Sequence, residues 1–109
     1  MQTERRRHRR LDIGLPVAFC TIDDLTPVVG STKTINVSAG GVYFGTDQAG
    51  LEAGRALDVE LTIPPGQGHF PYEGRICSQA EVVRLDTLDS EPASWGVAAQ
   101  FRDAPKLSF

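Results

Sequence analysis

Between residues 57 and 63 the chain alternates strictly between apolar and polar side chains, and this short segment limits the fold more than any other. In the run LDVELTI, four aliphatic residues alternate with three polar ones, which is the period of a β-strand with one buried face and one face in water. The run ends at Pro64-Pro65-Gly66, where the prolines remove ladder donors and the glycine permits a turn. The segment therefore predicts one half-buried strand of an antiparallel sheet.

Five further segments are rich in apolar and β-branched residues and are separated by turns that contain glycine, proline, Asp or Ser. With the first segment they give six predicted strands, over residues 15–22, 33–37, 41–45, 57–63, 72–85 and 95–101. No segment has a helical period longer than a turn or two. Short connections favour antiparallel neighbours, so the sequence predicts an all-β barrel or sandwich.

The length of 109 residues is enough for one domain with its own core. We expect a single domain over residues 11–109, preceded by a flexible arm over residues 1–10. The sequence has no apolar run of about 18 residues and no secretory pattern after its basic start, so we expect a cytoplasmic protein without membrane insertion. For its oligomeric state we expect a monomer or a weak dimer. Cys20 and Cys77 lie in apolar segments and are expected to be buried, reduced thiols.

Charge is distributed unevenly along the chain. Five of the 11 basic residues and one of the 14 acidic residues fall within residues 1–10, which leaves six basic and 13 acidic residues for the rest. Because a long nucleic acid needs a basic path, the acidic body disfavours it as a partner. Arginine forks bind phosphates and guanine edges and stack on flat rings. A small anionic ligand fits this arm better than a duplex.

Two motifs occur in order along the chain. Arg6 and Arg10 form RxxxR just before the first predicted strand, and residues 36–41 form NxSxxG between the second and third. This pair of motifs, with GVYF, AEVVRL and WGVAAQF downstream, resembles the PilZ domain family of bacterial cyclic di-GMP receptors. The resemblance covers nearly the whole chain and implies a six-stranded antiparallel β-barrel of the split-barrel type, with little or no C-terminal helix.

The resemblance implies a ligand site for cyclic di-GMP. Its residues are Arg6, Arg7 and Arg10 of the arm and Asn36, Ser38, Gly40 and Gly41 of the turn. Arginine can hold guanine O6 and N7 bidentately, and a Ser hydroxyl with free backbone N–H groups can face a phosphate. The register Arg5/Arg9 also satisfies RxxxR and stays open. At Gly41 we expect a positive φ, or a close approach to the ligand, that excludes a side chain.

The same residues are compatible with a second function. A degenerate PilZ-type module could act through protein contacts without the nucleotide, and an effector protein is an expected partner in either case. An enzyme is disfavoured, since Cys20, Cys77, His8 and His69 have no partner at catalytic or metal-ligand spacing. No metal or cofactor is therefore expected.

Tyr43 and Phe44 should face opposite sides of one strand, one in the core and the other on the ligand surface.

Overall fold

Seven β-strands make up the regular structure of the computed structural model, which describes residues 11–22, 25–65, 74–88 and 94–102 and the backbone of residues 106–108. Their bounds are β1 Pro16–Thr21, β2 Val29–Ser38, β3 Gly41–Thr46, β4 Ala56–Ile63, β5 Gly74–Leu88, β6 Ser94–Phe101 and β7 Lys106–Ser108. No helix occurs among the described residues, and none of them forms a segment that could cross a membrane as a helix.

The first six strands close into an antiparallel barrel. Hydrogen-bonded neighbours follow the order β4, β1, β2, β3, β6, β5, and β5 returns to β4 to close the ring. The 15-residue β5 makes this closure possible, because its first half pairs with β4 and its second half with β6. The short β7 pairs with Arg75–Cys77 of β5 and continues the line of β6 along the same edge.

The structure confirms the all-β fold and the six-stranded barrel. It also extends five of the predicted strands, most at the start of β2 and at the end of β5, shortens the first strand to Pro16–Thr21, and adds β7 in a segment where no strand is predicted. The strand predicted over residues 33–37 begins at Val29, because pairing with β1 continues to Cys20 opposite Val29. The hydroxyl of Thr21 also accepts a hydrogen bond from the Val28 N–H at 2.9 Å. Tertiary pairing thus overrides the turn signal of Pro27 and Gly30.

Inward-facing side chains from all six barrel strands fill the core. The rings of Phe19 and Phe44 stack at its centre, with centroids 4.9 Å apart. Phe101 is buried as a core aromatic, whereas Trp95 is only half-buried. The thiol prediction fails for Cys77, which is exposed because it pairs with the outward-facing Glu60 of β4. Cys20 is half-buried.

Candidate functional site

The segment before β1 is fixed to β2 beside the NxSxxG motif. The Leu11 N–H donates to the Val37 carbonyl at 2.8 Å, and the Val37 N–H donates to the Leu11 carbonyl at 2.9 Å. The buried Thr34 hydroxyl donates to the Ile13 carbonyl at 2.5 Å and accepts from the Leu15 N–H at 2.8 Å. These contacts place Leu11 next to Val37, which lies between Asn36 and Ser38 of the motif.

The arginine half of the predicted site lies outside the described residues. This applies to Arg6, Arg7 and Arg10 and to the alternative pair Arg5 and Arg9. The structure therefore describes the site only from Leu11 onward, together with the complete NxSxxG motif.

A one-residue β-bulge turns the motif toward the outside of the barrel. Thr34 faces the core opposite Phe44, and in a regular strand Asn36, two residues later, would face the core as well. The bulge between Thr34 and Asn36 shifts the register, so that Asn36 pairs with Tyr43 and Ser38 pairs with Gly41. Asn36 and Ser38 therefore lie on the outer face, both half-buried.

Ser38 shapes the turn that follows it. Its Oγ accepts a hydrogen bond from the Gly40 N–H at 3.2 Å, which is a local serine turn. Ala39 and Gly40 form the turn, and Gly41 begins β3. As a hydroxyl also donates, Ser38 retains the capacity to give a hydrogen bond to an acceptor at the surface.

Gly41 is required for packing and not for a left-handed backbone. Its φ lies outside the positive region, and a Cβ at this position would collide with the carbonyl oxygen of Ala99 on β6. The neighbouring Gly40 carbonyl accepts from the Phe101 N–H at 2.9 Å, which holds the same two strands together. The positive-φ alternative for Gly41 is therefore wrong, and the close contact is with the protein's own backbone.

The outer face continues from the motif across three more strands. Directly paired residues share a face of a sheet. One row runs from Asn36 through Tyr43 and Ala98 to Arg84, and the next runs from Ser38 through Gly41 and Gln100 to Glu81. Phe44 is fully buried whereas Tyr43 is half-buried on this outer face, which confirms that the two face opposite sides.

Tyr43, Arg84 and Asp86 form a polar cluster on this face. The Tyr43 hydroxyl donates to Asp86 Oδ2 at 2.9 Å, and Arg84 Nε donates to the two carboxylate oxygens at 3.1 and 3.3 Å. The guanidinium carbon of Arg84 lies 5.8 Å from the centroid of the Tyr43 ring, within the range of a cation–π contact. The three side chains hold one another in a fixed arrangement.

The cluster shifts the titration of two of its members in opposite directions. Partial burial, and then the hydrogen bond to Asp86, raise the pKa of Tyr43 above its usual value. The hydrogen bond from Tyr43, followed by that from Arg84, lowers the pKa of Asp86. Both shifts favour a protonated tyrosine beside an ionised carboxylate.

Sequence reasoning did not assign Arg84 or Asp86 to the site. A second bulge in β5, between Val82 and Arg84, is what places Arg84 outward opposite Ala98. In a regular strand Arg84 would share the inward face of the buried Val82. The sequence AEVVRLD carries no local signal for this shift.

In the part of the chain that the structure describes, no group of three or more His, Cys, Asp or Glu side chains comes together in a way that could hold a metal ion. A surface cavity of about 410 Å³ lies over β1, β4 and the start of β5, and residues of the NxSxxG motif do not line it. We therefore identify the candidate site from the polar side chains on the outer face around the motif. The volume of the cavity does not identify it.

The protein family follows from a match to a family model. The family model described as the PilZ domain matches residues 4–105. The chain therefore belongs to the PilZ domain family, which comprises cyclic di-GMP receptor and adaptor domains rather than enzymes.

A solved structure shares the fold. The structure of the Bacillus subtilis inhibitor of motility, MotI/DgrA, aligns with a TM-score of 0.73 at 21% sequence identity. The alignment covers 94% of this chain and 44% of that one, so this chain spans less than half the length of its structural neighbour. No curated protein sequence matches the chain.

Proposed function

We propose that this chain is a cyclic di-GMP receptor domain, in which the ligand lies between the arginines of residues 6–10 and the NxSxxG motif. The observation that carries the proposal is the double hydrogen bond between Leu11 and Val37. Consecutive Cα atoms are about 3.8 Å apart, so Arg10 is joined to a residue that pairs with Val37, between Asn36 and Ser38 of the motif. Family membership supplies the ligand class.

The proposed roles follow from the chemistry of cyclic di-GMP, which has two guanines and two phosphodiesters. Arg6 and Arg10 grip guanine edges and phosphate, with Arg7 in support, because guanidinium binds both groups bidentately. Asn36 offers an amide oxygen to a guanine N–H on the outer face. Ser38 donates to the ligand, and Gly40 and Gly41 shape the turn together with it.

Binding would hold the arm against the barrel and so change the surface that an effector protein contacts. This gives the domain its proposed place in bacterial second-messenger signalling in the cytoplasm. The proposed role needs no catalytic step and no cofactor, since cyclic di-GMP acts as a ligand.

Isothermal titration calorimetry of the full chain with cyclic di-GMP tests the proposal directly. We expect saturable binding that Arg10→Ala weakens by about 2 kcal/mol or more, the scale of a desolvated bidentate contact. Arg5→Ala is the matched control and should have a much smaller effect.

Two other outcomes would change the proposal. If Arg5→Ala loses more affinity for cyclic di-GMP than Arg10→Ala, the ligand-binding arginines are those of the Arg5/Arg9 register. Failure of the unaltered chain to bind cyclic di-GMP would reject the receptor function and favour the degenerate protein-interaction module.

A further inference from the structure

The barrel places Arg84 on the same outer face as the NxSxxG motif, 48 positions along the chain from Asn36. Asn36 pairs with Tyr43, Tyr43 with Ala98, and Ala98 with Arg84. Directly paired residues have Cβ atoms about 4.5–5.5 Å apart. Tyr43 is therefore an immediate neighbour of Asn36, and the guanidinium carbon of Arg84 lies over the tyrosine ring, 5.8 Å from its centroid.

Arg84 is oriented before any ligand arrives. Asp86 accepts from its Nε, and the Tyr43 hydroxyl fixes the same carboxylate from the other side. The Tyr43 ring lies over Gly96, where a Cβ would collide with the phenol. An arginine side chain that is 61% exposed is usually mobile, and fixing it in advance reduces the entropy lost on binding. A guanidinium also carries four N–H donors on its terminal nitrogens, besides Nε.

Two of the four positions between the motif and β5 on this face carry small side chains. Gly41 lies next to Ser38 and Ala98 lies next to Arg84, while Tyr43 and Gln100 occupy the other two positions. Because Gly41 and Ala98 carry no more than a methyl group, a flat ring can lie close to the sheet above them. Tyr43 on β3 and Arg84 on β5 border Ala98 on its two sides.

We propose that Arg84 is a further ligand-binding residue of this site, that it takes the O6 and N7 edge of a guanine, and that Tyr43 and Asp86 are its positioning residues. The inference rests on the proposed function as a cyclic di-GMP receptor. Arginine suits guanine because O6 and N7 are both acceptors, whereas adenine presents an amino donor at the same edge. Arg84 therefore contributes to selection of guanine over adenine.

The experiment is calorimetric titration of the full chain with cyclic di-GMP and, separately, with cyclic di-AMP. Arg84→Ala should weaken binding of cyclic di-GMP by roughly 5- to 150-fold, the equivalent of 1–3 kcal/mol for a bidentate contact. Its affinity for cyclic di-AMP should change much less, so selectivity falls. Arg84→Lys keeps the charge without the fork and should behave like Arg84→Ala.

Arg75→Ala is the matched control. Arg75 lies on the same strand, is 59% exposed and faces a carboxylate of Glu60 at 3.9 Å, but it pairs with Thr62 on β4 and not with the motif row. Its removal changes net charge by the same amount and should leave both affinities within about twofold, since exposed charges are well screened.

The positioning role has its own readout. Asp86→Asn and Tyr43→Phe should each reduce the preference for cyclic di-GMP over cyclic di-AMP, while circular dichroism shows the barrel intact. If the unaltered chain binds cyclic di-GMP and the Arg84→Ala and Arg75→Ala variants bind it with equal affinity, the assignment of Arg84 is wrong. The receptor function would still stand. Failure of the unaltered chain to bind cyclic di-GMP would instead reject the receptor function, and the assignment of Arg84 with it.

Discussion

Thr34 is the residue through which the barrel holds the segment that leads to the arginine arm. Its hydroxyl donates to the Ile13 carbonyl and accepts from the Leu15 N–H. Thr34→Val keeps the shape of the side chain and removes both hydrogen bonds. Each is worth about 0.5–1.5 kcal/mol net, and the buried N–H of Leu15 is left without this acceptor, so we expect a loss of about 1–3 kcal/mol of stability.

Thermal unfolding followed by circular dichroism measures this loss. In a domain of 109 residues the unfolding entropy makes 1 kcal/mol equal to about 4 °C in Tm, so Thr34→Val should melt roughly 4–13 °C below the parent. Thr34→Ser retains the hydroxyl and should recover most of the hydrogen-bond contribution. Thr32→Val, two residues away on the same strand and outside this network, is the control.

The same variant tests the link between fold and function. If residues 11–15 fix the arm beside the motif, Thr34→Val should also weaken cyclic di-GMP binding at temperatures where the barrel is folded. A Tm within about 2 °C of the parent would refute the reasoning, because the hydroxyl would then not be what ties residues 13–15 to β2.

The remaining predictions concern the motif, the polar cluster and the charge of the ligand. Gly41→Ala should lose about 1–3 kcal/mol because its Cβ meets the Ala99 backbone, whereas Gly14→Ala, whose Cβ would meet its nearest atom at 3.6 Å, should melt like the parent. Ser38→Ala should leave Tm within a few degrees and cost about 0.5–1.5 kcal/mol of binding. Because the folded-state pKa of Tyr43 is raised, its contribution is complete below the unfolded value near 10 and disappears as pH rises through the folded pKa. Tyr43→Phe should therefore flatten the alkaline side of a Tm–pH profile. The pKa of Asp86 is lowered, so its contribution is present above the unfolded value near 4 and disappears as pH falls through the folded pKa. Asp86→Asn should accordingly flatten the acid side. Affinity for cyclic di-GMP should decrease from low to high salt if arginines neutralise its phosphates, and a salt-independent affinity would contradict that role.

Local sequence patterns were sufficient for the central part of each of the six barrel strands and for the motif. The alternation over Leu57 to Ile63 and the turn residues after it determine a strand wherever that segment is placed, because both are properties of neighbouring residues. The same holds for Ser38 and Gly40, whose serine turn is a local hydrogen bond. The order and spacing of RxxxR and NxSxxG are likewise properties of the linear chain, and they were enough to indicate the family.

Only the tertiary structure decided which side chains share the motif's face. Two bulges, after Thr34 and after Val82, turn Asn36 and Arg84 outward, and each is a register shift against a partner strand. Tyr43 and Asp86 meet across 43 positions of sequence for the same reason. The Ala99 carbonyl, and not a positive φ, excludes a side chain at Gly41. The side of the sheet on which a residue near a bulge lies depends on how two distant strands align when the barrel closes. The alternation of apolar and polar residues within either strand does not predict that alignment.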